Sequence, residues 1–344
     1  MTGAVLSILK ARPSVSRARN EVKSLSASQL VRNCSVARTI DILSDAWSFL
    51  VLREFYMGAR RFDQIQTVLH CPRSTLSDRL TRLIDAAILQ RVTTPAGRPE
   101  YRLTERGLDL YLVMLALLRF GDDHLAGEDA PPLRLHHIKC GHDFRPQTVC
   151  SECKEPVTAL EVSYRDGPGA GQSPSPHLPQ RRRSSKAGAF ERGRPSSVSR
   201  TVAILADRWS FLILRECFFG VKRYDQFQEA LAIAPNILAN RLNTLVATGI
   251  LAKHPYQTNP PRFEYRLTPT GLDLYLPLIQ MLRWGDRWMD GPPPLILTHR
   301  KCGRDFQPLL VCDHCHGPIS PRDVRYVLSY HPPEGAVGRA LIPS

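Results

Sequence analysis

Arg73-Ser-Thr-Leu-Ser-Asp-Arg-Leu-Thr-Arg-Leu-Ile84 separates into two faces when wound at about 3.6 residues per turn. Leu76, Leu80, Leu83 and Ile84 fall on one side, and Ser74, Thr75, Asp78, Arg79 and Arg82 on the other. Pro72 stands just before the helix start, where its fixed φ is favourable. A helix with one apolar face and one face of short polar groups and arginines suits the DNA major groove, if a shorter helix and a tight turn precede it. The same pattern also fits an ordinary amphipathic surface helix, so the context decides.

That context is a duplication. The stretch Arg38–Glu54 matches Arg200–Glu216 at 12 of 17 positions, and Tyr101–Leu112 matches Tyr265–Leu276 at 10 of 12. Residues 34–164 and 196–326 are therefore two copies of one unit. In the first copy, periodicity predicts a helix over Ser35–Phe55, a second over Arg61–Leu69 and the turn His70-Cys-Pro72 into the helix above. Strands at Ile88–Thr94 and Glu100–Thr104 follow, then a long apolar helix over residues 105–122. The second copy repeats this order at Ser199–Phe219, Arg223–Leu231, Pro235–Ala247, Ile250–His254, Phe263–Thr268 and Pro269–Met289. Helix, helix, turn, helix, two-stranded wing and a long helix is the order of a winged helix-turn-helix. The fold class expected is mainly α (α+β), with two winged helix-turn-helix domains in tandem, each followed by a small zinc-ribbon-like module.

Several ordered motifs carry a family resemblance. Leu43-Ser-Asp-Ala-Trp47, Arg61-Phe-Asp63, Leu76-Ser-Asp-Arg-Leu80 and Tyr101-Arg-Leu-Thr104 resemble HxlR-type transcriptional regulators, relatives of the MarR winged-helix group. Leu205-Ala-Asp-Arg-Trp209, Arg223-Tyr-Asp225, Leu238-Ala-Asn-Arg-Leu242 and Tyr265-Arg-Leu-Thr268 are their counterparts. The resemblance covers about 100 residues in each copy. It implies a sequence-specific, DNA-binding regulator, read here as a repressor, with double-stranded promoter DNA as partner and a small-molecule or oxidant inducer as an option. Members are usually dimers joined through terminal helices, so this chain is expected to work as an intramolecular pseudo-dimer or as a homodimer of chains.

In a winged helix, the N-terminal residues of the second helix of the turn meet base edges. The candidates are Arg73, Ser74, Thr75, Asp78, Arg79 and Arg82 in the first copy, and Asn236, Ile237, Asn240 and Arg241 in the second. Arginine suits guanine and asparagine suits adenine, at roughly 1–3 kcal/mol of discrimination per bidentate pair. Arg98 and Arg262 at the wing tips are candidates for the minor groove or the phosphates. Trp47, Trp209, Tyr101 and Tyr265 are read as core.

The formal net charge is +14, but residues 1–33 and 165–195 together hold +10 of it. The charge therefore points to basic arms near DNA rather than to a basic domain face. Residues 1–33 are read as a basic tail, with a short helix around Val22–Arg32 as an option. Winged-helix domains are placed at 34–130 and 196–291, ribbon modules at 131–164 and 292–328, a flexible basic linker at 165–195 and a tail at 329–344. The linker composition, rich in Pro, Gly, Ser and Arg, cannot build a core. Its root-mean-square span, about 30 Å, compares with about 34 Å between half-sites one DNA turn apart. No apolar run suits a membrane span and no signal-peptide layout opens the chain, so a cytoplasmic protein is expected.

Nine cysteines, with two C-x-x-C pairs, read as metal sites before disulfides. His137, Cys140, Cys150 and Cys153 recur as His299, Cys302, Cys312 and Cys315 at the same spacing. The duplication filters other histidines: His142 faces Arg304, and His314 faces Glu152. The expectation is a structural Cys3His zinc site within each copy, two per chain, with Asp143 and Asp305 as substitute fourth ligands. Cys34 precedes the first helix, where HxlR-type proteins often carry a cysteine that in some members senses oxidants; its counterpart here is Ser196. No catalytic constellation competes, so no enzyme is expected. The alternatives are a winged-helix adaptor that does not read DNA and a thiol redox protein using the C-x-x-C pairs.

Overall fold

A computed structural model describes residues 30–43, 45–127, 131–174, 195–205 and 207–330. The first copy comprises β1 (Leu30–Arg32), α1 (Ser35–Leu43), α2 (Ala46–Tyr56), α3 (Phe62–Leu69), α4 (Arg73–Asp85), β2 (Leu89–Thr93), β3 (Pro99–Leu103), α5 (Glu105–Asp109) and α6 (Tyr111–His124). Its ribbon is β4 (Leu133–His137), β5 (His142–Phe144), β6 (Pro146–Cys150) and β7 (Val162–Asp166), and β8 (Gln172–Pro174) lies beyond it. The second copy comprises α7 (Ser197–Leu205), α8 (Arg208–Phe218), α9 (Tyr224–Leu231), α10 (Pro235–Ala247), β9 (Leu251–Gln257), β10 (Arg262–Leu267), α11 (Pro269–Asp273) and α12 (Tyr275–Trp288). β11 (Leu295–His299), β12 (Arg304–Asp305), β13 (Pro308–Cys312) and β14 (Val324–Leu328) form its ribbon.

Both copies are winged helix-turn-helix units. The helix expected over Ser35–Phe55 is broken in two, because Asp45 takes an extended backbone (φ −165°) and caps α2, accepting from the Ser48 N–H at 3.2 Å. Asp207 does the same for α8. The two breaks face each other: Asp45 and Asp207 form an antiparallel backbone bridge, and Phe49 stacks on Phe211 with centroids 6.0 Å apart. A pseudo-two-fold axis passes here.

The long helices meet the opposite copy. α1 packs on α12 and α7 on α6. Two glycines set how closely. A Cβ on Gly121 would lie 2.3 Å from the Ser197 carbonyl oxygen, and one on Gly285 would lie 2.5 Å from that of Ser35. Thr39 donates to the Met281 carbonyl and Thr201 to that of Leu117, each at 2.9 Å, so both crossings are tied by the same bond. The apolar surface of α6 is buried in this way.

The ribbons are exchanged rather than separate. β4 pairs with its own β5 and with β14 of the other copy, while β11 pairs with β12 and with β7. β6 and β13 pair antiparallel, with Cys150 opposite Pro308 and Cys312 opposite Pro146. Two independent ribbon modules are therefore replaced by one shared assembly. The start of the expected linker also belongs to the fold: β7 runs to Asp166, the Gly167 N–H donates to the Pro294 carbonyl at 3.0 Å, and β8 pairs with β1. Leu30–Arg32 is strand rather than the end of a helix, and residues 1–29, 175–194 and 331–344 lie outside the described residues.

Candidate nucleic-acid interface and metal centres

α4 lays Leu76, Leu80 and Leu83 into the core, as its periodicity predicts, and α10 lays Leu238, Leu242 and Leu245. Outward, α4 exposes Arg73, Ser74, Ser77, Asp78 and Thr81, with Thr75 and Arg82 half-buried. α10 exposes Asn236, Asn240 and Asn243. Arg73 lies over the Phe62 ring at 4.8 Å and donates to Gln66 at 2.7 Å. Arg82 reaches Asp78 at 3.3 Å on the same helix.

Arg79 and Arg241, expected at base edges, are both held by aspartates within the protein. The Arg79 side chain is only 9% exposed and is held by both oxygens of Asp45, with Nε donating to Oδ1 at 3.0 Å, and by Asp78. Burial disfavours its charge, but the hydrogen bonds and charge of Asp45, then of Asp78, more than offset this and hold it above the ordinary guanidinium value. Arg241 donates to Asp207 at 2.6 Å and to Asn240 at 2.8 Å. Two like charges at the axis, Asp45 and Asp207, each need such a partner, so these arginines fasten α4 and α10 to the α2 and α8 caps. Ile237, like Thr75 at the equivalent position, is half-buried, and it packs against the core.

Ser77 and Thr81 share the exposed face of α4, and Asn243 that of α10. Asn236, Asn240 and Asn243 stand at i, i+4 and i+7, so the helical period carried one turn further puts Asn243 in line with the two candidates before it. At the wings, Arg98 and Arg262 are exposed as expected. The second wing is longer, with β9 and β10 of seven and six residues against five and five in the first. Arg223 lies over Tyr256 at 4.6 Å and Lys253 over Phe263 at 3.9 Å on that wing.

The cysteine clusters hold the expected residue types in an unexpected partition. His137 and Cys140 meet Cys312 and Cys315, and Cys150 and Cys153 meet His299 and Cys302, with all ligand atoms of each quartet within 4.8 Å of one another. The site expected within one copy is corrected on both counts: each quartet takes two residues from each copy. The exchanged ribbons are the reason. Antiparallel β6 and β13 put their C-x-x-C knuckles at opposite ends, where each meets the His-x2-Cys of the other copy.

The geometry fits a tetrahedral ion. Cys140 and Cys312 sulfurs lie 4.0 Å apart, and His137 Nδ1 is 3.4 and 3.3 Å from those of Cys140 and Cys315. In the second quartet Cys150 and Cys302 are 3.9 Å apart, and His299 Nδ1 is 3.2 and 3.7 Å from Cys153 and Cys302. Zinc bonds of about 2.3 Å to sulfur and about 2.0 Å to nitrogen give tetrahedral edges of about 3.5–3.8 Å. Disulfide sulfurs would lie about 2 Å apart, and these cysteines are free. Backbone N–H groups of Glu155 and Gly317 donate toward Cys153 and Cys315 and pull both thiols below the usual range. Asp143 is engaged by Arg134 and His136, each at 3.1 Å, and Asp305 by Thr298 at 2.9 Å, and neither joins a quartet. Cys34 is buried beside Arg215 of the second copy.

An HxlR-like helix-turn-helix family model matches residues 42–129 and 204–292, just over half of the chain. The protein belongs to the HxlR-like helix-turn-helix family. An HTH-type transcriptional regulator of Mycobacterium tuberculosis is 42% identical over 137 residues, 39% of this chain and 87% of that relative. One of Synechocystis is 36% identical over 102 residues, covering 29% of this chain and 76% of its own. Another, YdeP of Bacillus subtilis, is 29% identical over 94 residues, 27% of this chain and 73% of its own. The HxlR-family chain is thus a transcriptional regulator carrying two family units. None of its described helices is long and apolar enough to cross a membrane.

Proposed function

We propose that this chain is a cytoplasmic repressor that binds promoter DNA as a dimer made of one polypeptide, using α4 and α10 as two unlike reading helices. The observation that carries this reading is the crossing of the copies. Helices α1 and α7 each pack on the other copy's long helix, the Asp45 and Asp207 caps meet at the axis, and both cysteine quartets draw on both copies. The spacing of the heads is then set by packing rather than by the linker. Ser74, Thr75, Ser77, Asp78 and Thr81 face one half-site, together with Arg73 and Arg82. Asn236, Asn240 and Asn243 face the other, and Arg98 and Arg262 reach the flanking backbone.

Each quartet holds one zinc ion in this reading. The ion neutralises thiolates that would otherwise repel one another and joins the copies by four ligands, two from each. C-x-x-C pairs committed to such quartets are withdrawn from thiol–disulfide exchange, which favours this reading over the redox one. A mobility shift with the DNA upstream of its own gene tests the proposal. Replacing Ser74, Asp78, Asn236 and Asn240 together with alanine is expected to abolish the specific band while leaving folding and zinc content intact. Unchanged specific binding would instead support an adaptor that keeps the fold without reading DNA.

A further inference from the structure

Two cavities lie where the shared ribbon meets the crossed helices, and the duplication relates them. One, of about 580 Å³, is lined by Cys34, Tyr164, Arg215, Phe219, Leu278 and Arg300 among others. Its twin has the equivalent walls, including Arg53, Met57, Met114, Tyr326 and Ser196, yet measures only about 60 Å³.

The reason lies in two tyrosines at the same position. Tyr326 donates its hydroxyl to the Met57 carbonyl at 3.0 Å, and Tyr330 adds to that wall. The twin is thereby plugged by its own chain. Tyr164 instead stands edge-on against Phe219 at 4.9 Å and is 44% exposed, and the chain after β7 leaves to pair as β8 with β1. One cavity is closed from within and the other is left open.

The open cavity has the size and lining of a small-molecule site. Phe218, Phe219 and Tyr275 supply aromatic wall, and Leu278, Leu282 and Leu297 supply aliphatic wall. Its charges are all positive except where already paired. Arg215 is neutralised by Glu216, to which Nε donates at 2.9 Å. Arg32 lies over the Phe219 ring at 4.6 Å. The exposed Arg300 has no side-chain hydrogen bond or ion pair among the described residues. A cation is disfavoured there, and an anion gains a free guanidinium.

We propose that this cavity binds an organic anion with a flat apolar body, its rings packed against Phe218, Phe219 and Tyr275 and its anionic group held by Arg300. Its walls belong to both copies, with α1 and β7 from the first and α8, α12 and β11 from the second. An occupant therefore ties the copies together. It also presses on the C-terminal end of α8, the helix whose cap, Asp207, fastens Arg241 of the second reading helix. Such a ligand is an effector by position, although its binding does not depend on whether the chain reads DNA.

Calorimetric titration of the zinc-loaded full chain with naphthoate, and with neutral naphthamide, tests the site. One saturable site per chain is expected for naphthoate. Arg300→Gln is expected to weaken naphthoate at least about tenfold, the value of one charge-assisted hydrogen bond, and to leave naphthamide unchanged. Leu278→Trp fills the cavity and is expected to abolish both, with zinc content and melting temperature showing that the fold persists. Tyr326→Ala removes the plug and is expected to raise the stoichiometry toward two. Absence of saturable naphthoate binding, binding that survives Leu278→Trp, or equal weakening of both probes by Arg300→Gln would overturn the proposal.

Discussion

The two copies agree at the axis, at the helix crossings and in the quartets, and differ on the outward faces of α4 and α10 and in the cavities beside the ribbon. The glycines at the helix crossings, the aspartate caps at the axis, the arginines fastened to those caps and the eight quartet residues are the same in both. The exposed faces of α4 and α10 share almost nothing: Ser74, Ser77, Asp78 and Thr81 stand where the second copy has Asn236, Ala239, Asn240 and Asn243. One cavity is open and its twin is plugged. A pair of genes for separate subunits would yield this only through a heterodimer; a single chain obtains it by letting one half drift while the joint is retained.

The joint is the place to break the comparison hardest. Cys140→Ser with Cys312→Ser takes one ligand from each copy out of the same quartet, and a chelator empties both quartets. Either treatment is expected to reduce affinity for a two-half-site duplex on the order of a hundredfold, the scale of lost bivalency, while binding to one half-site persists. Equal loss on both duplexes would mean that the quartets support each head separately.

Arg79→Ala leaves the half-buried Asp45 without its partner beside Asp207, and is expected to cost about 3 kcal/mol of unfolding free energy, the low end for a buried pair. Arg241→Ala is expected to cost less, because Arg241 and Asp207 are 22% and 23% exposed against 9% and 15% for Arg79 and Asp45. Denaturant titration reads both. A small stability change with loss of preference at one base pair would return Arg79 to the role of base reader.

Asn236→Ala, Asn240→Ala and Asn243→Ala are each expected to relax discrimination by about 1–3 kcal/mol at positions of one half-site only, seen by competition with single-base variants. Relaxation in both halves would contradict two separate heads. Arg98→Ala and Arg262→Ala are expected to have the smallest effect. Each should lower the slope of log affinity against log salt by about one, without changing sequence preference.

Much of this was legible in the sequence for physical reasons. Helical and strand periods, two wings and the repeat register are local, and they placed α4, α10 and the eight quartet residues. Which of those eight residues meet in one quartet was not local. His137 and Cys315 are 178 positions apart, and only the antiparallel pairing of β6 with β13 brings their ends together. Arg79 reads as a guanine contact in the sequence because an arginine on the polar side of such a helix matches that chemistry, and its ion pair with Asp45 is not local. Its recurrence as Arg241, together with Asp45 recurring as Asp207 in the same frame, was the overlooked sign of a buried pair. The break at Asp45 was hidden because the apolar period runs on across it from Leu43 to Trp47 and Leu50.

Selection of bound duplexes from a random pool, with the zinc-loaded chain and with chains counted per duplex, tests the central claim most directly. The account predicts one chain on a bipartite site at fixed spacing, with one half dependent on the α4 face and the other on the asparagines of α10. A symmetric palindrome, or two chains per selected site, would contradict it.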